Sequence, residues 1–233
     1  MDAVLVDPAD ADAALAVARE RGVRPRWILH THGHHDHSGG SARLRDELGA
    51  EVIGHGADAG WFAPDREAAG LDQLALGRLK VRVHPAPGHT PGSVLYEWDG
   101  RLLTGDTLFW GGCGNCRHGG DVGRMAETFA TVLPGLDPAL EIHPGHDYAE
   151  ANLPFDLDIE PGNRSAAARL AAVRASKAAG REPEPNILAE ERAVNPFLRA
   201  GSAPVGEALL RRGIRVVGAR EAFMALRGLR DRY

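Results

Sequence analysis

The stretch "THGHHDHSGG", Thr31 to Gly40, holds four histidines and one aspartate. Packing gains nothing from so many polar rings side by side, because each ring nitrogen needs a partner. The chain must therefore carry this loop at an edge of its fold, where the rings meet something other than apolar core. The spacing is His-x-His-x-Asp-His, at His32, His34, Asp36 and His37. In an alternating loop His32 and His34 point the same way, while Asp36 and His37, on the next bend, face a second position. Imidazole suits zinc-like cations, and carboxylate tolerates zinc, iron and manganese.

The hydrophobic pattern around the loop alternates between strand and helix. Val4–Val6 reads as a strand ended by Asp7-Pro8, Asp10–Arg21 as a helix closed by Gly22, and Trp27–Leu29 as the strand that feeds the loop. Ser41–Leu48 reads as a helix and Glu51–Ile53 as the next strand. Beyond Leu71–Leu76 come short strands, Leu79–His84, Ser93–Trp98 and Arg101–Leu103, with Asp99-Gly100 as a hairpin turn. Asp121–Leu133 is helical and Leu140–His143 a strand. From Asn163 onward the chain reads as mostly helical, with Glu182–Asn186 as a proline-bearing linker. This order predicts an α/β fold. Strands end at Leu29, His84, Leu103 and His143, and a His or Asp follows each end: the cluster at His32, then His89, Asp106 and His146. Ligands on loops at strand ends are how α/β scaffolds build sites.

Charge divides the chain. Residues 161–233 carry a balance of +7 and residues 1–160 a balance of −12. The expected organisation is a metal-binding catalytic domain over 1–160 and a helical, basic, substrate-binding region over 161–233. A solvated helical face would also account for the basic tail. With no apolar run long enough to span a bilayer and no signal peptide, a cytoplasmic location without membrane contact is expected. The acidic main part disfavours a nucleic-acid partner. Two cysteines cannot make a disulfide framework.

The distal residues make the pattern specific. "PAPGHTPGS" sets His89 in a stiff turn, "LLTGDTLF" puts Asp106 at the end of an apolar strand, and "HPGHDYA" does the same for His146. The chain resembles the metallo-β-lactamase superfamily, whose motifs are this loop, a later His, a bridging Asp and a final His. The resemblance implies an αβ/βα sandwich with two divalent metal ions, zinc by the donor set with iron or manganese admissible, at one edge of two sheets. His32, His34 and His89 would hold one metal, Asp36, His37 and His146 the other, and Asp106 would bridge them. "ILAEERAVNPFLRA" (Ile187–Ala200), "TGDTLF", "GCG" at Gly112–Gly114 and "DLDIEPGN" resemble glyoxalase II, the hydroxyacylglutathione hydrolases. That resemblance implies hydrolysis of a small-molecule thioester. Paired cations about 3.5 Å apart lower the pKa of bound water toward neutrality, and Asp36 would orient that water or take its proton.

The likeness is incomplete in three places. Where the family carries a Lys or Arg and then a Tyr after "GCG", this chain has Asn115 and Arg117. Tyr148 is kept, and Arg227 and Arg230 align with two basic family positions near the C-terminus; these five are the expected substrate contacts. The strand pair that usually precedes "VLVDP" is absent from the pattern: either the start is misassigned, or one sheet has lost edge strands and offers an unpaired edge, so that a monomer or a weak dimer is expected. Cys113 and Cys116 form a lone C-x-x-C. His30, His35, His55, His84, His118 and His143 read as structural or supporting residues. Three alternatives to glutathione thioester hydrolysis stay open at this point: another low-molecular-weight thiol carrier, an iron persulfide dioxygenase, and a non-catalytic binding protein on the same scaffold. Asp106→Ala is expected to abolish hydrolysis and lower metal content measured by elemental analysis; retention of both metals and rate would contradict a bridging role.

Overall fold

Asp2–Val6 (β1), Arg24–Leu29 (β2) and Glu51–Gly54 (β3) run parallel, and the short Arg66–Glu67 (β4) pairs beyond β3. This is the arrangement in the computed structural model, which describes all 233 residues. Parallel neighbours need crossovers, and here the first two are helical. Ala11–Glu20 (α1) joins β1 to β2, while His35–Ser38 (α2) and Ser41–Leu48 (α3) join β2 to β3. Asp10 caps α1, its carboxylate accepting the Asp12 N–H at 2.8 Å and the Ala13 N–H at 3.1 Å.

Gln73–Leu76 (β5), Leu79–Pro85 (β6), Val94–Trp98 (β7) and Arg101–Gly105 (β8) form an antiparallel meander, and Glu141–Pro144 (β9) joins β8 in parallel. The β7–β8 turn is at Asp99-Gly100, with φ of 51° and 74°, as a tight hairpin requires. β4 and β5 carry little sequence signal of their own; β4 has only two residues and exists through its pairing with β3.

Side-chain alternation sets the layers. Ile28 and Val52 face α1 and α3, whereas Leu29 and Ile53 face the second sheet and meet Val81, Val83, Val94 and Tyr96. Leu95, Leu102 and Ile142 point out of the second sheet into a third core with Val122–Thr131 (α4) and the C-terminal helices. The result is the expected αβ/βα sandwich. β1 is the outer strand of its sheet, with Asp2 and Val6 exposed.

The C-terminal helices are Ala149–Ile159 (α5), Arg164–Ala178 (α6), Leu188–Val194 (α7), Ala203–Arg211 (α8) and Gly218–Arg230 (α9). Helix thus begins earlier than the expected Asn163. Pro154 hides α5 in the sequence, because an interior proline costs a helix about 3 kcal/mol. Burial of Leu153, Phe155 and Ile159 offsets that cost. α5 packs against α6, and one continuous core runs from Ala86 to Leu226. The basic tail therefore shares its core with the second sheet. No helix is long and apolar enough to cross a membrane.

Tyr96 is fully buried between the sheets and donates its hydroxyl to the His30 carbonyl at 2.9 Å, just before the histidine loop. Tyr96→Phe is expected to cost about 1–3 kcal/mol by stranding that carbonyl. Urea unfolding at unchanged m-value checks it; an unchanged midpoint would contradict it.

Candidate metal centre and adjoining cleft

β2, β6, β8 and β9 end at Leu29, Pro85, Gly105 and Pro144. The loops that follow deliver the seven expected ligands to one edge of the sandwich. Gly105 is required there: its φ is +47°, and a Cβ would overlap Thr31 Oγ1. α2 is a single turn that starts at His35, which separates Asp36 and His37 from His32 and His34.

The hydrogen bonds on the backs of the rings decide where their lone pairs point. His34 Nε2 donates to the His118 carbonyl at 3.0 Å, and His89 Nδ1 to the Asn115 carbonyl at 2.6 Å. A neutral imidazole carries one proton, so His34 Nδ1 and His89 Nε2 both present lone pairs, 2.9 Å apart. His32 Nδ1 lies 3.1 Å from Thr31 Oγ1, whose own proton goes to Asp7 Oδ2 at 2.6 Å. His32 Nε2 is left buried without a partner. Three converging lone pairs repel one another unless a cation sits among them, so this donor set fits a metal.

A second group lies alongside. His37 Nδ1 donates to Asp7 Oδ2 at 3.0 Å, and its Nε2 faces His146 Nε2 at 3.1 Å. Asp36 Oδ2 is 3.3 Å from the same His146 nitrogen. Asp106 stands between the groups, Oδ1 3.2 Å from His37 Nε2 and Oδ2 3.5 Å from His89 Nε2. Burial lowers the pKa of both His32 and His89, which keeps them neutral. Burial also opposes charge on His37, but the carboxylates of Asp106 and Asp7 outweigh it and push its pKa up to about 10. The same contacts, with His30, hold the Asp7 carboxylate well below the usual range despite its burial. The site is thus electronegative enough to recruit a proton where a metal would bind.

A cleft of about 590 Å³ opens from this edge toward α9 and is lined by Asn115, Arg117, Tyr148, Arg227 and Arg230 as well as Asp36 and Asp106. Tyr148 stacks on His146 with ring centres 5.1 Å apart. Arg230 donates to Asn152 Oδ1 at 3.1 Å, and Arg117 to the Asp231 carbonyl at 2.6 Å. Arg227 borders the cleft with its donors already engaged inside the chain. It is 6% exposed, and its donors go to the Cys113 carbonyl at 2.8 Å and the Asp231 carboxylate at 2.8 and 3.1 Å. The two cysteines are unreactive by environment: burial pushes the Cys113 thiol up to about 11 and the Cys116 thiol to about 12.

Comparison with known proteins agrees with this geometry. Residues 1–147 match the metallo-β-lactamase superfamily, and residues 147–233 match the hydroxyacylglutathione hydrolase C-terminus. A hydroxyacylglutathione hydrolase from Anaeromyxobacter dehalogenans is 60% identical over 233 residues, covering 99% of this chain and 91% of that protein. The chain belongs to the hydroxyacylglutathione hydrolase family. Among solved structures, ETHE1 from Myxococcus xanthus shares the fold with a TM-score of 0.65 at 24% identity, covering 98% of this chain and 88% of its own. TTHA1623 in a di-iron-bound form has a TM-score of 0.61 at 25% identity, covering 84% of this chain and 89% of its own.

In this member of the family the histidine and aspartate set implies divalent metals. Two supporting residues escape a reading of the sequence. Asp7 accepts from Thr31 and His37 at once; it obeys the same strand-end rule as the ligands and was legible by that rule. Asp58 is fully buried and accepts from the Gly33 and Gly92 N–H groups and from the Thr90 hydroxyl, tying the histidine loop to the turn that carries His89. No sequence signal marks it. With the His37 pKa pushed up to about 10 by Asp106 and Asp7, zinc added to chelator-stripped protein at pH 8 should release at least one proton per chain, the bound water adding to it. A weakly buffered indicator assay measures it, and zero release would contradict a protonated His37.

Proposed function

We propose that the chain hydrolyses S-2-hydroxyacylglutathione, with S-lactoylglutathione as a representative substrate, to a 2-hydroxy acid and glutathione at two divalent cations. The observation that carries this reading is the convergence of seven donors on one edge beside an arginine-lined cleft. His32, His34 and His89 would hold one cation, Asp36, His37 and His146 the other, with Asp106 shared. Bound there, divalent cations supply a Lewis acid for the thioester carbonyl and a water acidified toward neutrality. Zinc suits the donors, and iron or manganese is compatible with them; a di-iron form is seen in TTHA1623.

The chain's own residues then do the following. Asp36, whose side chain is 64% exposed in the cleft, orients the attacking water and accepts its proton. Water oxygen bonds to the carbonyl carbon, the C–S bond breaks, and the thiolate leaves. A thiol pKa near 8.5 makes that departure easy without a dedicated acid. Tyr148, stacked on His146, forms one wall. Arg117 and Arg230 reach the carboxylates of the carrier, for which a guanidinium offers paired donors. Asn115 uses its side-chain oxygen to accept the Arg117 N–H at 2.9 Å, leaving its amide donors for the carrier.

A steady-state assay with S-lactoylglutathione and with thioesters of other small thiols tests the assignment; absence of any preference for the glutathione thioester would overturn it. Arg230→Ala and Arg117→Ala should each raise KM with little change in kcat, the signature of lost uniform binding. A fall in kcat alone would contradict their role.

A further inference from the structure

Three backbone carbonyls of one loop do two different jobs. The Asn115 and His118 carbonyls hold the imidazoles of His89 and His34. The Cys113 carbonyl, two residues before Asn115, is held by Arg227 Nη1 at 2.8 Å, with the Gly114 carbonyl at 3.4 Å from the same nitrogen. Arg227 projects from α9, and its other two nitrogens are fixed on Asp231. Asp231 in turn accepts Arg117 from the loop through its backbone carbonyl. The loop is therefore stapled to α9 at two points.

It also has no slack at its other side. Gly114 donates to the Asp106 carbonyl at 2.9 Å, and a Cβ on Gly114 would overlap that carbonyl and stand 2.7 Å from His89 Nδ1. A displacement of the loop by a fraction of an ångström would move the acceptors of two imidazoles together. The three residues proper to the other position take no support from this loop: His37 is oriented by Asp7, Asp36 lies on α2, and His146 follows β9. The shared Asp106 meets the loop only through its backbone carbonyl.

We propose that Arg227 is a positioning residue that sets metal affinity at the three-histidine position selectively, acting from α9 through residues 113–118 on His34 and His89. The inference rests on the two-cation reading above. It makes the C-terminal helix part of the metal centre, at a residue that the sequence alone assigns to the substrate.

Titration of chelator-stripped protein with zinc against a chromophoric chelator resolves the two affinities, and Asp36→Ala marks the step that belongs to the Asp36, His37 and His146 position. Arg227→Met is expected to weaken the remaining step by about 10–100-fold, as loss of an outer-shell partner does, and to leave the marked step unchanged. Arg227→Lys, which keeps a cationic donor near the Cys113 carbonyl, should recover part of the loss. Asp231→Asn, a change at a partly exposed residue, should shift the same step in the same direction and keeps the test alive if Arg227→Met fails to fold. Equal weakening of both steps, or no weakening, in variants whose circular dichroism matches the wild type would overturn the proposal. Wild-type protein that takes up fewer than two zinc ions would overturn the two-cation reading itself, and this proposal with it.

Discussion

The meeting of unprotonated imidazole nitrogens from His32, His34 and His89 is the constraint on which the rest of the structure depends. Lone pairs 2.9 Å apart are stable only if a cation joins them and if each ring is prevented from turning its N–H inward. The fold supplies that second condition with acceptors behind every ring: Thr31 for His32, His118 for His34, Asn115 for His89 and Asp7 for His37. The four acceptors sit on three segments, so the orientation of four small rings ties together the end of β1, the histidine loop and the loop after β8. Asp58 adds a further tie between the histidine loop and the His89 turn.

The two sheets meet this demand by bringing several strand ends to one edge. β6, β8 and β9 run in the same direction within their sheet, so their C-terminal loops emerge together, opposite the loop from β2. The apolar alternation that builds the layers is therefore also what delivers polar residues to the edge. The helical tail completes the arrangement. α9 packs on α4 and places Arg227 and Arg230 beside the acidic centre, so the charge asymmetry along the chain becomes a short-range juxtaposition of cationic cleft and anionic metal site.

Within the loop after Gly112, the structure gives Asn115 and His118 specific work. Asn115 and His118 act through backbone carbonyls, which are insensitive to side-chain identity. Cys116 is turned toward Met125, 3.8 Å from its sulfur, rather than into the cleft. Of the two side chains that face the cleft from this loop, Arg117 also ties the loop to α9 through the Asp231 carbonyl, whereas Asn115 supports His89 through its backbone alone.

The sequence by itself determined the alternation of strands and helices and the His or Asp just past four strand ends, since both rest on local signals: apolar runs, capping and turn residues, and polar residues at strand ends. The αβ/βα layering and the grouping of seven donors entered only through the resemblance to a known family. Only the tertiary structure decided the rest. α5 forms despite Pro154 because Leu153, Phe155 and Ile159 are buried by distant helices. Asp58 becomes a support because its partners lie 25 to 34 positions away in the chain. Arg227 borders the cleft but spends its donors on Cys113 and Asp231, because α9 folds back across 114 positions to Cys113. Hydrogen bonds of that span leave no pattern in the chain, as their geometry exists only once the layers have packed.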